Sequence, residues 1–341
     1  MSAGHTSTVH HATERGAYHL GDSAELLGGN LHEELRGRVN LLLTSPPFPL
    51  NQKKSYGNRT GDEYKEWFVG LADLFADLLT PDGSIVIELG NAWEPGRPVQ
   101  SLLTLESLLG FVNRDGVGLR LIQEVICYNP ARLPSPAAWV TRERVRLTDS
   151  FTHVWWIAKS DEPKADNRKV LRPYSKAMKR LLERQSYNAG RRPSEAHISE
   201  TSFLTDNGGA ISHNVLEVEP MDADREPRLP LVFDEVSPQE IAHNALALGN
   251  TGSNDHYHRV CRERGITPHP ARMPLGLAAF FIRLLTDPGD LVVDPFAGSN
   301  TTGYAAERLD RSWLSFELRA AYAEQAEIRM EDPALQNVSV V

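Results

Sequence analysis

Leu41-Leu42-Leu43-Thr44-Ser45-Pro46-Pro47-Phe48 is the stretch on which the fold class turns. Three apolar residues in succession predict a buried strand of a parallel sheet. Two prolines then end the ladder and fix the backbone of the following turn. They leave a hydroxyl, an aimed carbonyl and an aromatic face at the carboxyl end of a strand. That edge is where open α/β sheets bind ligands.

Upstream, Ala17 to Leu20 predicts a short strand, then the turn Gly21-Asp22-Ser23 and a short helix to Leu27. Downstream, residues 49–61 are polar with two glycines and predict a mobile loop over the site. Asp62 to Leu79 places Trp67, Phe68, Leu71, Leu74, Phe75, Leu78 and Leu79 at helical spacing. Pro81-Asp82-Gly83 predicts a turn, Ser84 to Leu89 a strand, and Leu119 to Tyr128 and Phe151 to Ala158 two more. Near the end, Pro274 to Leu285 predicts a helix and Leu291 to Val293 a strand. Thr302 to Arg308, Trp313 to Phe316 and Arg319 to Met330 come next as helix, strand and helix. This alternation predicts a mostly parallel sheet, of seven strands, with helices on both faces. Asp161 to about Thr267 differs: it is polar, weakly periodic and scattered with Pro, Asn and Gly, as expected of an inserted recognition region.

The 341 residues suit one large α/β domain with an insertion, or two small domains. No apolar run approaches the ~18 residues of a membrane span. Residues 1–16 are polar, lack the apolar centre of a signal peptide and predict a flexible arm. Cys127 and Cys261 form neither a disulfide framework nor a metal pattern, and they fit buried thiols in a reducing cytoplasm. Twelve histidines show no ligand spacing; His256 and His258 are expected at the surface, and no metal is predicted.

Leu291-Val292-Val293-Asp294-Pro295-Phe296-Ala297-Gly298-Ser299-Asn300-Thr301-Thr302-Gly303 is a strand, a tight small-residue loop and a helix. Gly298 permits close backbone approach, and the helix start offers unpaired N–H groups. No G-x-G-x-x-G and no Walker lysine is present, so a dinucleotide or nucleoside triphosphate is not the obvious ligand. Glu317 ends the next strand, where a carboxylate accepts from ribose hydroxyls. A nucleoside with a small polar tail fits, as S-adenosylmethionine does. Read alone, the loop can also be a glycine connection between a core strand and a helix.

Together these motifs resemble the β-class, circularly permuted, N4-cytosine-specific DNA methyltransferases, over Tyr18 to Met330. Ser45-Pro46-Pro47-Phe48 is similar to their catalytic loop, and serine in first place points within that family to cytosine N4. Asp294, Pro295, Phe296, Gly298, Ser299, Asn300 and Thr301 lie in a segment similar to their cofactor loop, and Glu317 matches the ribose acid. His269-Pro270-Ala271-Arg272-Met273-Pro274 resembles the segment before the cofactor-flanking helix. Gly21-Asp22-Ser23 resembles the adenine-side turn, with Asp22 placed to accept from the adenine amino group. Residues 51–58 and 129–134 also look like segments of those enzymes.

The resemblance implies a Rossmann-like methyltransferase fold and an S-adenosylmethionine cofactor. It implies a bacterial cytoplasmic protein working at the nucleoid on double-stranded DNA, as a monomer or homodimer, with a partner restriction endonuclease as a further expectation. The domains are then an arm (1–16), a catalytic part (17–160), a target-recognition region (161–267) and a cofactor-binding part (268–341). Ser45 and the Pro46 carbonyl are expected to accept from the cytosine amino group, Phe48 to stack the base, and Glu88 to take the serine proton or orient its hydroxyl. Glu88 is also readable as a strand-end carboxylate paired with a basic group.

The formal net charge is -9. Lys164 to Arg192 nevertheless holds ten Lys/Arg against Asp166 and Glu183, a local +8 that leaves -17 on the rest. Such a block is either DNA-facing or a solvated, partly helical surface. Expected DNA contacts are Lys53, Lys54, Arg142, Arg144, Arg146, Lys169, Arg172 and Lys176. Adenine-N6 transfer on the same fold, and a non-catalytic DNA-binding protein, are the other two readings.

Overall fold

Leu41, Leu42 and Leu43 are fully buried, and they alternate: Leu41 and Leu43 join one core, Leu42 another on the opposite face of the sheet. A strand covered on both faces needs apolar residues without interruption. The computed structural model describes residues 8–49, 59–129, 132–219, 246–249, 255–269 and 272–336. Its strands are β1 (Thr8–Ala12), β2 (Gly16–Leu20), β3 (Val39–Thr44), β4 (Leu79–Leu89), β5 (Arg120–Tyr128) and β6 (Phe151–Ala158). Then come the short pair β7 (Gly190–Arg191) and β8 (His197–Ile198), β9 (Val215–Glu219), β10 (Leu246–Gly249), β11 (Leu291–Asp294) and β12 (Ser312–Glu317).

Ten of these form one sheet in the order β1-β2-β12-β11-β3-β4-β6-β5-β9-β10. From β2 to β4 all neighbours are parallel; β6 runs antiparallel between β4 and β5, and β1 is antiparallel to β2. The helices α1 (Ser23–Gly28), α2 (His32–Leu35), α3 (Gly61–Leu78) and α4 (Leu103–Val112) precede β5 in the chain. Further on are α5 (Lys176–Arg184), α6 (His256–Glu263), α7 (Leu275–Leu285), α8 (Thr301–Arg308) and α9 (Ala320–Met330). α1, α3 and α4 cover one face, with Phe68, Phe75 and Phe111 in its core. α7, α8 and α9 cover the other. α7 is buried nearly all round, from Gly276 to Ile282 and at Leu285, as an apolar helix packed between a sheet and further chain must be.

The structure corrects several expectations. The sheet has ten strands rather than seven. Residues 8–12, expected to lie in a flexible arm, pair with β2 and cover its otherwise open edge. β9 and β10 extend the opposite edge from inside the region read as an insertion. Pro81-Asp82-Gly83 turns within β4: Val39 pairs with Leu79 and Leu41 with Ser84, so the intervening residues loop out of register. α6, also expected in the insertion, packs on α9 through Tyr257, Val260, Cys261 and Ile328. His258, expected at the surface, is mostly buried and holds Asp255 at 2.7 Å. Both cysteines are free and buried. No helix among the described residues is long and apolar enough to cross a membrane.

Asn300 adopts a left-handed conformation (φ 61°) at the start of α8, and its Oδ1 accepts from Ser315 Oγ at 2.7 Å. A Cβ on Gly303 would lie 2.2 Å from that Oδ1. Gly303→Ala should therefore destabilise the fold by about 1–2 kcal/mol in urea denaturation, although Gly→Ala in an open helix stabilises by up to ~1 kcal/mol. An increased midpoint would show that Asn300 yields without cost.

Candidate active site

The order β12-β11-β3 sets three carboxyl ends side by side: Glu317, Asp294 and Thr44. From β3 the chain crosses through α3 to β4 on one side. From β11 it crosses through α8 to β12 on the other. Strand order thus reverses between β11 and β3, the place where a doubly wound sheet opens a crevice. Across it Thr44 Oγ1 donates to Asp294 Oδ1 at 2.7 Å. The same Oδ1 accepts from the Phe296 N–H at 3.1 Å, which bends the chain into the loop. Burial pushes the Asp294 carboxyl up to about 6 against these hydrogen bonds.

A cleft of about 410 Å³ opens there, within the usual range of small-molecule sites. Gly298 (φ +51°) forms part of its wall. A Cβ at Gly298 would lie 3.0 Å from His269 Nε2, so glycine is what lets the backbone and the imidazole share that wall. His269 in turn meets Tyr322 edge to face at 4.1 Å. Glu317 Oε2 accepts from the Gly298 N–H at 3.1 Å and Oε1 from the Arg319 N–H at 2.9 Å. Burial raises this carboxyl, and the two backbone donors oppose the rise. The Tyr18 hydroxyl donates to the Gly298 carbonyl at 2.8 Å, and Arg329 Nε to the Ser299 carbonyl at 2.8 Å. Asp22 Oδ1 caps α1 by accepting from Ala24 N at 2.9 Å. Pro295, Phe296, Ser299 and Thr301 also line the cleft, whereas Asn300 is fully buried behind it.

Ser45, Pro46, Pro47 and Phe48 line the same cleft. The Phe48 ring lies against Gly90, where a Cβ would come within 2.6 Å of the ring carbons. Ser45 Oγ donates to the Glu88 main-chain oxygen at 3.4 Å and also faces the Glu88 carboxylate. Glu88 is buried, and its Oε1 accepts from Thr152 Oγ1 at 2.9 Å. Burial pushes its carboxyl up to about 7, opposed by the Thr152 and Ser45 hydroxyls and by the Arg132 charge. Arg132 itself donates to the Phe151 carbonyl at 2.9 Å. Burial likewise pushes the Cys127 thiol up to about 12, which leaves it a protonated, inert group.

Among the expected DNA contacts, Lys169 is held elsewhere. It pairs with Asp287, and Lys164 with Asp290 at 2.6 Å, in the turn that enters β11 at the amino edge of the sheet. Arg172 reaches His213 Nε2 at 2.5 Å, and Lys176 is exposed at the start of α5. Arg142 and Arg144 are exposed, and Arg146 lies over the Trp93 ring at 3.6 Å. Lys53, Lys54 and Pro270, and residues 51–58, 130 and 131 of the resembling segments, lie outside the described residues.

The sequence reading missed Arg59, Trp67, Arg272 and Tyr322 as cleft residues. Trp67 reads as one more apolar position of α3, yet its ring meets Phe296 at 5.5 Å and carries Arg59 at 4.9 Å. Arg272 stands over Tyr257 at 5.1 Å, and burial lowers its affinity for the proton. Its only sequence signal was its place within His269-Pro270-Ala271-Arg272.

Type II methyltransferase M.PvuII of Proteus hauseri is 39% identical to this chain over 324 residues, 94% of this chain and 85% of its own. The solved PvuII DNA methyltransferase, cytosine-N4-specific, superposes with a TM-score of 0.68 at 33% identity, covering 97% of this chain and 90% of that one. A DNA modification methylase of Thermus thermophilus, solved with S-adenosylmethionine, shares the fold at a TM-score of 0.50 and 19% identity, over 96% of each chain. The N6/N4 DNA methylase family model matches residues 39–328, a span that takes in β3, β11, β12 and both loops of the cleft. The chain belongs to the DNA methylase family.

Proposed function

We propose that this protein transfers the methyl group of S-adenosylmethionine to the exocyclic N4 of a cytosine within a specific sequence of duplex DNA. The observation that carries the reading is the union of two loops: Ser45-Pro46-Pro47-Phe48 and the Asp294–Gly298 loop share one cleft, joined by the Thr44–Asp294 hydrogen bond. The cytosine-N4 specificity of the PvuII relative supports the choice of base.

The residues of the cleft fit the cofactor. Glu317 would accept from ribose hydroxyls with the lone pairs its two backbone donors leave over. Asp22, whose Oδ1 caps α1, would offer its other oxygen to the adenine amino group. Phe296 and His269 give apolar and aromatic walls, and Gly298 to Thr301 brings backbone close to the polar tail. The bound cofactor supplies an electrophilic sulfonium methyl.

The amino group of cytosine is a weak nucleophile because its lone pair is delocalised into the ring. Ser45 Oγ and the Pro46 carbonyl would accept from its two N–H groups and localise that pair on nitrogen. The pyrrolidine rings hold the carbonyl in place, so little reorganisation is needed as positive charge develops. Phe48, braced on Gly90, would stack the flipped base. Ionised Glu88 would accept from the Ser45 hydroxyl, make its oxygen a better acceptor and take, through that hydroxyl, the proton the amino nitrogen sheds once the methyl has left the sulfonium. A protonated Glu88 would donate to that oxygen instead and compete with the base. Orientation of this kind can contribute ~7–11 kcal/mol.

The DNA contacts we propose are Arg142, Arg144, Arg146, Arg172 and Lys176, with Lys53 and Lys54, which follow Phe48 closely in the sequence. We extend the proposal to a cytoplasmic protein acting at the nucleoid, able to pair with a second copy and matched to an endonuclease of the same site.

The reading is tested on mixed-sequence duplex DNA with methyl-deuterated S-adenosylmethionine, followed by mass spectrometry of nucleosides and sequencing to map the site. Label is expected in N4-methylcytosine. Label in N6-methyladenine would reverse the base, and unlabelled DNA would end the reading. In the same assay Ser45→Ala should lower turnover at least about a hundredfold with cofactor Kd within about twofold of wild type.

Glu317→Ala should weaken cofactor binding by about ten- to a hundredfold in calorimetry, since it removes a charged acceptor worth ~1.5–3 kcal/mol. An unchanged Kd would remove the ribose assignment. The single-turnover rate should rise with pH through about 7, where Glu88 ionises. In Glu88→Gln that inflection should vanish; its persistence would assign it to another group.

A further inference from the structure

We propose that Leu147 is a wedge that enters the base stack of duplex DNA as the target cytosine leaves it. The proposal rests on the DNA-methylating reading above and concerns a residue outside the cleft.

The connection between β5 and β6 carries apolar side chains that the fold does not cover: Leu147 is 90% exposed, Leu133 82% and Val145 63%. A single exposed leucine is ordinary. Three lie in the one connection of 22 residues between β5 and β6, and exposed apolar side chains gathered in one segment mark interaction sites. Two features commit this segment to duplex DNA. Arg142, Arg144 and Arg146 intersperse it against Glu143 and Asp149; Arg142 pairs with Glu143 at 3.5 Å and Arg146 lies over Trp93, which leaves the exposed Arg144 as the cation best placed for a phosphate. The position is also right, because β5 runs parallel to β4 and delivers the connection to the carboxyl edge, beside the catalytic loop.

The backbone under Leu147 is held firmly although its side chain is bare. The Val145 N–H donates to the Trp139 carbonyl at 2.9 Å and the Asp149 N–H to the Ser135 carbonyl at 3.2 Å. Asp149 Oδ1 accepts from Asn91 Nδ2 at 2.9 Å. Asn91 Oδ1 in turn meets His153 Nε2 at 2.9 Å, and His153 Nδ1 meets Glu124 at 2.6 Å. Asn91 directly follows Gly90, the residue on which the Phe48 ring rests. A buried polar chain therefore links the base-stacking ring to Asp149, two residues from Leu147, a reach of at most ~7 Å. Extruding a base leaves an unstacked gap, and an apolar side chain on a rigid, basic segment can fill it.

The test compares two duplexes bearing the mapped site, one with the normal C·G pair and one with an abasic position opposite the target cytosine. Leu147→Ala should lower kcat/KM at least about tenfold on the paired duplex and less than about threefold on the abasic one, where no pair has to be opened. Cofactor Kd should stay that of wild type. Leu109→Ala, an exposed leucine of α4, should match wild type on both duplexes. Equal loss on both duplexes would make Leu147 a general docking or structural residue, and no loss on the paired duplex would make it a solvated side chain. Either result overturns the wedge and leaves methyl transfer intact. Wild-type protein that methylates neither duplex would instead sink the transfer reading itself.

Discussion

The cleft depends on one hydrogen bond, from Thr44 Oγ1 to Asp294 Oδ1, between residues 250 positions apart. It joins the ends of two adjacent parallel strands at the point where strand order reverses. Each partner is the last residue of its strand, and each opens one of the two loops that line the cleft. A buried hydroxyl and a buried carboxylate cost free energy unless they satisfy one another, and here they do. Asp294 also holds the Phe296 N–H, so a single oxygen sets both the distance between the loops and the first bend of one. The bond therefore ties the loop that carries Phe48 to the loop that carries Gly298 across the cleft.

The acids around this bond are held by neutral donors. Asp294 and Glu317 accept from a hydroxyl and backbone N–H groups, and Glu88 from Thr152. Neutral donors oppose the effect of burial only in part, which is why all three carboxyls titrate above their ordinary range.

The features that were legible in the sequence are those written in local periodicity or in a turn. Leu41–Leu43 gave away its strand because both faces are covered. α3 showed its apolar spacing, and the proline and glycine loops showed where strands stop. Features made by distant contact were illegible. Val9 and His11 carry no strand period of note, and β1 exists because β2 leaves an edge to pair with. α6 is polar at most positions, and its buried Tyr257, Val260 and Cys261 pack with Ile328 of α9. Trp67 has one side in the core and one in the cleft, and spacing alone reports only the first. Lys164 and Asp290 lie 126 positions apart, so their ion pair could not be read from either segment.

The cations of this chain are better understood by sheet edge than by net charge. β6 runs against its two neighbours, β4 and β5, while β5 keeps the direction of β4. The segment after β5 therefore emerges at the carboxyl edge, and the segment after β6 at the amino edge. Arg142, Arg144 and Arg146 are delivered to the first, where Arg142 pairs with Glu143 and Arg146 lies over Trp93. Lys164 and Lys169 are delivered to the second, where Asp287 and Asp290 neutralise them. An overall charge of -9 and a local block of +8 thus describe the same surface poorly. A positive field at the cleft needs only the few cations that the topology carries to that edge, because screening confines each charge to a range of about 10 Å at 0.1 M salt. Asp287 and Asp290 are engaged by Lys164 and Lys169 at the amino edge, so they do not offset the arginines at the other.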